Sequence, residues 1–348
     1  MKTVNLLTIV FLIVLTVTNS SAQNRAAPEK IGDSVEQTII IARNLLKKGD
    51  AAGAMSVLQT AAQNYPQNDV LKFWLGKTFY SQGNYQKAIE KLNLATGKLP
   101  KNSGEQIQAV QMLGLAYYIS GQLAGAIPHF EKIMQWQPEN GEVAYALGVS
   151  YIQTRQPAKS REIFAKLFGV PTNSASAYFL NAKMLVRQQF EETAEIELNK
   201  ALEIDPKLPE VRFILGELAI YHAEIDKGVE LLKQEIALNP SNSMAYYRLG
   251  EGLSRQLKWD EAIPPLQKSV WLNPFFSGPY IVLGKVYLKK QDLGNAESML
   301  RRSTTIDPNN FGAHYLLAQV LQQSGRTDEA KTEFALAEKL RGNGDKNP

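Results

Sequence analysis

Residues 69–102, DVLKFWLGKTFYSQGNYQKAIEKLNLATGKLPKN, contain the pattern that repeats along the chain and decides its fold. Apolar residues in the first half, such as Leu75 and Phe79, recur three or four positions apart, which places them on one face of a helix. The second half carries a matching set, and a Gly-Asn pair separates the two. Pro100 ends the second half because proline cannot continue a helix interior. The stretch therefore predicts two short amphipathic helices joined by a turn.

The same frame recurs at a nearly constant period. Prolines stand at positions 66, 100, 138, 171, 206, 240, 274 and 308. Most of these spacings are 33 to 35 residues, and the single exception is 38. A fixed period of about 34 residues is typical of stacked helix-turn-helix units.

Three further positions recur with the same period as the prolines, and each forms a column of similar side chains. Counting each proline as position 32 gives nine units, which start at 35, 69, 107, 141, 175, 209, 243, 277 and 311. Positions 8 and 20 are Gly, Ala or Ser in every unit, and position 24 is Leu or Phe. In the unit starting at 243 they are Gly250, Ala262 and Leu266. The small columns predict where the two helices of a unit cross closely.

These columns resemble the tetratricopeptide repeat. The unit starting at 277 carries the family pattern most fully, with Tyr280, Leu283, Gly284, Tyr287, Ala296, Leu300 and Pro308. The resemblance covers residues 35–344 and implies an all-α fold, a superhelical solenoid of stacked helix-turn-helix repeats. It is specific for the fold and much less so for the function.

The N-terminal stretch has the features of a targeting segment. Met1 to Ala22 contains one charge, a nearly apolar run and small residues at its end, which is the pattern of a cleaved signal peptide. Residues 23–34 are then a polar linker, and residues 345–348 a disordered tail. The sequence thus predicts export to the periplasm or the medium. An uncleaved segment acting as a membrane anchor is the alternative.

Composition removes several classes of function. The chain has 348 residues, no cysteine and a formal charge of +4. Without cysteine there is no disulfide, thiolate metal site or cysteine nucleophile. Because acidic and basic residues nearly cancel, the charge gives no support to nucleic-acid binding.

Catalytic and metal-binding patterns are missing from the sequence. The three histidines, His129, His222 and His314, occupy different columns of distant units, which argues against a shared metal site. Two acidic pairs, at 191–192 and 260–261, begin second helices, where negative charge favours the helix dipole. We therefore predict a protein that is not an enzyme and that needs no cofactor or metal.

The resemblance implies that the first helix of each unit lines a concave groove. Aromatic and charged residues occupy the groove positions, a composition typical of protein-binding hot spots. An alternative for the aromatic residues at position 5 is packing against a neighbouring unit. The candidate partner-binding residues are Phe73, Trp74, Lys77, Tyr80, Tyr118, Tyr145, Phe179, Lys183, Phe213, Tyr221, Tyr247 and Arg248.

One groove type of this family can be tested residue by residue. Members that bind chaperone C-termini hold the terminal carboxylate with a clamp of lysine, asparagine and arginine. At the matching positions the first three units carry Ile39, Arg43, Trp74, Gln108 and Met112. This set disfavours a chaperone-tail receptor. The expected partner is a protein or peptide segment that is apolar or aromatic with mixed charge.

Some residues depart from the repeat. Residues 103–106 are an insertion before the third unit, and Ser103 and Gln106 have capping-box spacing, so that unit's first helix is expected to start one turn early. Asn181 and Glu235 replace apolar residues and would weaken an interface if buried.

Two functions remain open at this point. The first is an exported, non-catalytic scaffold that binds a partner polypeptide in the groove. The second is an accessory subunit of an envelope enzyme or of a secretion or polysaccharide-export machine, either free or tethered to the membrane by an uncleaved N-terminal segment.

Overall fold

The computed structural model describes residues 34–344, and every regular element in that range is an α-helix. The predicted signal peptide, the tail at 345–348 and the linker except Ser34 lie outside the described residues. Ser34 caps the first helix, because its hydroxyl oxygen accepts a hydrogen bond from the backbone N–H of Gln37 at 3.2 Å.

Within residues 34–344, eighteen helices follow one another with short connections. They are α1 Val35–Lys47, α2 Ala51–Asn64, α3 Asp69–Ser81, α4 Tyr85–Thr96, α5 Gly104–Ile119, α6 Leu123–Trp136, α7 Gly141–Gln153, α8 Pro157–Leu167, α9 Ala175–Arg187, α10 Glu191–Ile204, α11 Val211–Tyr221, α12 Ile225–Leu238, α13 Ser243–Arg255, α14 Trp259–Leu272, α15 Ser277–Lys289, α16 Leu293–Ile306, α17 Phe311–Gln323 and α18 Thr327–Gly344.

The helices divide into two compact groups, separated in sequence between Val170 and Pro171. The N-terminal group contains α1–α8 and the C-terminal group α9–α18. Within each group, consecutive helices pair as hairpins, and the second helix of a hairpin packs against the first helix of the next. The apolar core accordingly runs from hairpin to hairpin, as in a solenoid.

The predicted fold class is confirmed. Between residues 34 and 344 the chain is all-α and built of stacked helical hairpins. The number of repeats and the bounds of the repeat units stay a prediction.

Close helix crossing explains the column of small residues at position 8. A Cβ atom added to Gly76 would lie 2.7 Å from Cγ of Leu92, the large residue at position 24 of the same hairpin. The same added atom on Gly250 would collide with Leu266 and lie 3.2 Å from the carbonyl oxygen of Ala262. Positions 8, 20 and 24 therefore meet at one crossing, where the absence of a side chain lets the helices approach.

The third and sixth hairpins begin differently from the others. Helix α5 starts at Gly104, one turn early as expected, and the Ser103 hydroxyl accepts from the backbone N–H of Gln106 at 3.1 Å. Helix α11 starts at Val211, two residues after the predicted unit start at 209. Residue Glu210, which precedes α11, has a φ of 66°, so regular helix begins only after it.

Both polar residues that replace apolar ones are buried, and each has a partner. The Asn181 side-chain amide donates to Oε2 of Glu197 at 2.9 Å. The carboxylate of Glu235 accepts from the backbone N–H of Glu210 at 3.0 Å. Burying a polar group costs less when it is hydrogen-bonded, so these contacts offset part of the expected weakening.

No helix within residues 34–344 is both long enough and apolar enough to cross a membrane. Helix α18 keeps Lys331, Thr332, Glu338 and Lys339 exposed, as expected for its outer side.

Candidate functional site

We call the first helix of each hairpin its leading helix, and the surface formed by these helices the leading-helix face. In the N-terminal group it comprises α1, α3, α5 and α7, and in the C-terminal group α9, α11, α13, α15 and α17. All twelve predicted groove residues lie on leading helices. Some of these residues are packed inside the protein, whereas others are exposed and can contact a partner.

Most position-5 aromatic rings pack inside the protein. Phe73 is fully buried and its ring meets that of Trp74 edge-on, with centroids 5.5 Å apart. Tyr145 contacts the ring of Phe164 in its own hairpin at 6.0 Å. Tyr247 meets Phe276, from the start of the next hairpin, at 5.0 Å. Packing against a neighbouring hairpin is therefore seen for Tyr247, whereas the ring contacts of Phe73 and Tyr145 lie within their own hairpins.

Two predicted tyrosines are largely enclosed. Tyr80 packs against Tyr85, and burial, with Tyr85 nearby, raises the pKa of its hydroxyl to about 12. Tyr118 packs against Phe130, and burial likewise raises its pKa. Both hydroxyls therefore stay neutral across the physiological range, where a neutral hydroxyl can donate or accept a hydrogen bond but carries no charge.

The predicted arginine of the C-terminal group is already neutralised. Arg248 donates from Nε to Glu217 at 2.7 Å and from Nη1 to Glu251 at 2.8 Å. Burial alone would raise the pKa of Glu251, but its hydrogen bonds with Arg248 and Arg255 hold that pKa below its usual value. This network ties α11 to α13 and leaves Arg248 little capacity for a ligand.

The remaining predicted residues of the C-terminal group vary in access. Lys183 lies 5.1 Å above the ring of Phe179 and pairs with Glu210 at 3.3 Å. Phe213 is half-buried. Tyr221 is 75% exposed and is the most accessible of the twelve.

A cleft of about 500 Å³ opens on the leading-helix face of the N-terminal group. Its apolar wall consists of Leu46, Phe73 and Trp74, and its charged rim of Arg43, Lys47, Lys77 and Glu105. The first turns of α5 close it with Gly104 and Gln108. Three of the twelve predicted residues thus meet in one place, at Phe73, Trp74 and Lys77.

Two cations of the cleft lie close to the indole ring of Trp74. The ring is 4% exposed, with Nζ of Lys77 4.7 Å and Cζ of Arg43 5.4 Å from its centroid. Burial lowers the pKa of Lys77 and the charge of Arg43 lowers it further, while Glu105 acts in the opposite direction. Lys77 donates to the side-chain oxygen of Gln108 at 3.1 Å, which is a neutral acceptor. Within residues 34–344, none of Arg43, Lys47 and Lys77 forms an ion pair.

The three histidines lie in separate surroundings. His129 stacks on Tyr117, His222 contacts Glu191 at 2.9 Å, and His314 contacts Glu333 at 2.6 Å. In the part of the chain that the structure describes, no cluster of His, Asp and Glu could hold a metal ion.

A family model for the tetratricopeptide repeat matches residues 45–111, 117–180 and 287–343, which is more than half of the chain. The chain belongs to the tetratricopeptide repeat family. The similarity extends to proteins that are longer than this chain.

Two curated relatives and one solved structure illustrate that range. The Intraflagellar transport protein 88 homolog of Homo sapiens is 30% identical over 123 residues, which cover 34% of this chain and 15% of the relative. BBSome complex member BBS4 of Bos taurus is 27% identical over 258 residues, or 62% of this chain and 50% of the relative. The chain thus spans half or less of the length of these relatives. The structure of MamA, residues 41 to the end, from Desulfovibrio magneticus RS-1 is 21% identical, with a TM-score of 0.46, over 49% of this chain and 97% of MamA.

The cleft of this TPR protein includes six residues that the sequence did not assign to the site: Arg43, Leu46, Lys47, Gly104, Glu105 and Gln108. The signal for a site was the insertion at 103–106, because the additional turn of α5 carries Gly104 and Glu105 over the cleft. Arg43 and Lys47 lie four residues apart on α1, which places them on one face.

Proposed function

We propose that this TPR protein is an exported, non-catalytic scaffold that binds a partner polypeptide on its leading-helix face. The cleft carries this proposal. It combines a wall of aromatic and aliphatic side chains with cations that no acidic side chain of the described residues neutralises. Aromatic residues with directional cations are typical of protein-binding hot spots.

The family and the relatives support a role in assembly. Stacked helical hairpins present extended surfaces for other proteins. One relative is, by its name, a member of a complex, the BBSome. The pattern of residues 1–22 supports export, with cleavage at about residue 22.

Capture of a partner tests the scaffold role. The full processed chain is used as bait in an extract of its source cell, beside the double variant Arg43→Gln, Lys77→Gln. The control double variant is Lys331→Gln, Lys339→Gln, which removes two exposed charges from the outer side of α18. We expect the wild type and the control to retain the same protein and the cleft variant to lose most of it.

Two results would overturn this proposal. One is retention of the partner by the cleft variant and by further leading-face variants. The other is intrinsic turnover of a glycan or peptide by the purified chain. Export is tested separately by the mass of the mature N-terminus, which we expect to begin near Gln23.

A further inference from the structure

The cations of the leading-helix face differ in whether they are already paired. Arg248 is held by two carboxylates and Lys183 by one. In the cleft, by contrast, Arg43, Lys47 and Lys77 face a single acidic side chain, Glu105, which forms no ion pair with them. The rim therefore carries a surplus of two positive charges, which favours the binding of a negatively charged group.

The position of these cations strengthens their attraction for an anion. Lys77 is half-buried and lies with Arg43 over the same indole ring, so the two positive charges repel each other at short range. A carboxylate between them replaces this repulsion by two attractions, in surroundings less polar than bulk water. Burial lowers the pKa of Lys77, and the nearby charge of Arg43 lowers it further.

The positions of the three cations favour a ligand that carries more than one carboxylate. Arg43 and Lys47 stand one turn apart along α1, and Lys77 lies on the neighbouring α3. Cations at this spacing suit two neighbouring acidic side chains better than one carboxylate at a chain end. The apolar wall of Leu46 and Trp74 beside them suits an aliphatic or aromatic side chain next in sequence.

We infer that the cleft between α1, α3 and α5 binds an internal acidic segment of the partner polypeptide, with two adjacent carboxylate side chains on Arg43, Lys47 and Lys77 and a following apolar side chain on Leu46 and Trp74. This inference rests on the proposed function and specifies its ligand chemistry. Glu105 restricts the site by repelling a third acidic residue at the α5 side.

Four synthetic octapeptides test the inference with the full processed chain. The first is acetylated and amidated and contains two adjacent glutamates followed by leucine among alanines. The second has glutamines in place of the glutamates. The third has alanines there and a free C-terminal carboxylate, and the fourth has lysines. Binding is measured by fluorescence polarisation at 50 mM and 500 mM salt, two conditions chosen because salt screens exposed charges.

We expect the glutamate peptide to bind at least tenfold more tightly than the other three, and to weaken at high salt. Arg43→Gln or Lys77→Gln should reduce the affinity for the glutamate peptide about tenfold. Lys77→Arg should retain most of this affinity, and Lys331→Gln should leave it unchanged. Bound glutamate peptide should also raise the pKa of Lys77, observed by NMR of ¹³C-methylated lysines and assigned with Lys77→Arg.

Equal binding of the glutamine peptide, tighter binding of the free-carboxylate peptide, or no dependence on Arg43 and Lys77 would each overturn the inference. Tighter binding of a thymidine oligonucleotide than of the glutamate peptide would do so as well. The proposed function has a separate outcome, since a partner that depends on the leading-helix face without an acidic segment would leave the scaffold role standing.

Discussion

At the residue scale, the hairpin turns share one backbone feature. Every hairpin turn between residues 34 and 344 has a residue with positive φ at position 15 of its unit. Glycine occupies four of these turns, at 49, 83, 121 and 325, and Arg155, Gln189, Ala223, Leu257 and Gln291 occupy the others. A residue other than glycine pays a steric cost in this region, so five turns are strained by the geometry that the hairpin needs.

Leu257→Gly is therefore expected to stabilise the protein. Leu257 has a φ of 62° and is 67% exposed, so its side chain contributes little packing. Relief of about 1–2 kcal/mol of backbone strain exceeds the entropic cost of glycine, roughly 0.5–1 kcal/mol. The urea midpoint should rise slightly. The matched substitution Gly83→Ala, at a φ of 73°, should lower it, and the reverse order of the two midpoints would contradict this reasoning.

Gly250→Leu should have a much larger effect. Any side chain at this position collides with Leu266 across the helix crossing. Overpacking of this kind costs roughly 1–3 kcal/mol or more. Loss of hydrogen-exchange protection in α13 and α14 measures it. Gly294→Leu is the control, because a Cβ there meets nothing within 4 Å, and it should leave protection unchanged.

Trp74 shows why burial changes the choice of variants. From the sequence, Trp74→Ala together with Phe213→Ala is a natural test of partner binding. The structure places Trp74 within the apolar core of the N-terminal group. Its truncation would cost roughly 3–5 kcal/mol, so loss of binding could not be separated from unfolding. Substitutions of Arg43 and Lys77 avoid this difficulty.

At the element scale, the sequence predicted where the helices lie and the early start of α5, but not the late start of α11. The 34-residue period and the columns of small residues follow from helix crossing, and they confirm that local spacing encodes the hairpin. The cleft depends instead on one additional turn of α5, which brings Gly104 and Glu105 next to residues of α1 and α3. The early start of α5 could be predicted from the sequence. The residues that its additional turn contacts could not, because these contacts depend on how three hairpins pack together.

A network of ion pairs connects α11 and α13. Arg248 links Glu217 of α11 to Glu251 of its own helix. Because the pKa of Glu251 is lowered in the folded protein, the carboxylate stabilises the fold above its usual pKa. This contribution is lost as the pH falls through the lowered value, when the carboxylate becomes protonated.

Arg248→Gln should accordingly destabilise the protein in a pH-dependent way. We expect a loss on the order of 1 kcal/mol at pH 7, which becomes smaller towards pH 3 because Glu251 loses its charge as the pH falls through its lowered pKa. Urea midpoints of wild type and variant at the two pH values measure the difference. Arg302→Gln removes an exposed arginine and is the control. A loss of equal size at both pH values would show that packing, and not the ion pairs, accounts for the effect.

At the scale of the whole molecule, stability is distributed along the array. Each apolar cluster involves neighbouring hairpins, as in the cluster that joins Leu288 and Leu300 to Leu317 and Leu321. Solenoids of this kind gain stability from each hairpin and from each interface between neighbours. A change at one end is therefore felt mainly by the adjacent hairpin.

A chain that ends at residue 310 tests this view. Removal of α17 and α18 uncovers Leu288 and Leu300, and each fully exposed leucine loses roughly 1.5–3 kcal/mol of burial. We expect the helical signal in circular dichroism to fall only by the contribution of the deleted helices, with some fraying of α15 and α16. Light scattering should show association through the uncovered apolar surface. Removal of residues 345–348 is the control and should change neither signal. Loss of helix throughout the shortened chain would instead show that the array folds as one cooperative unit, because the hairpins far from the cut keep all of their neighbours.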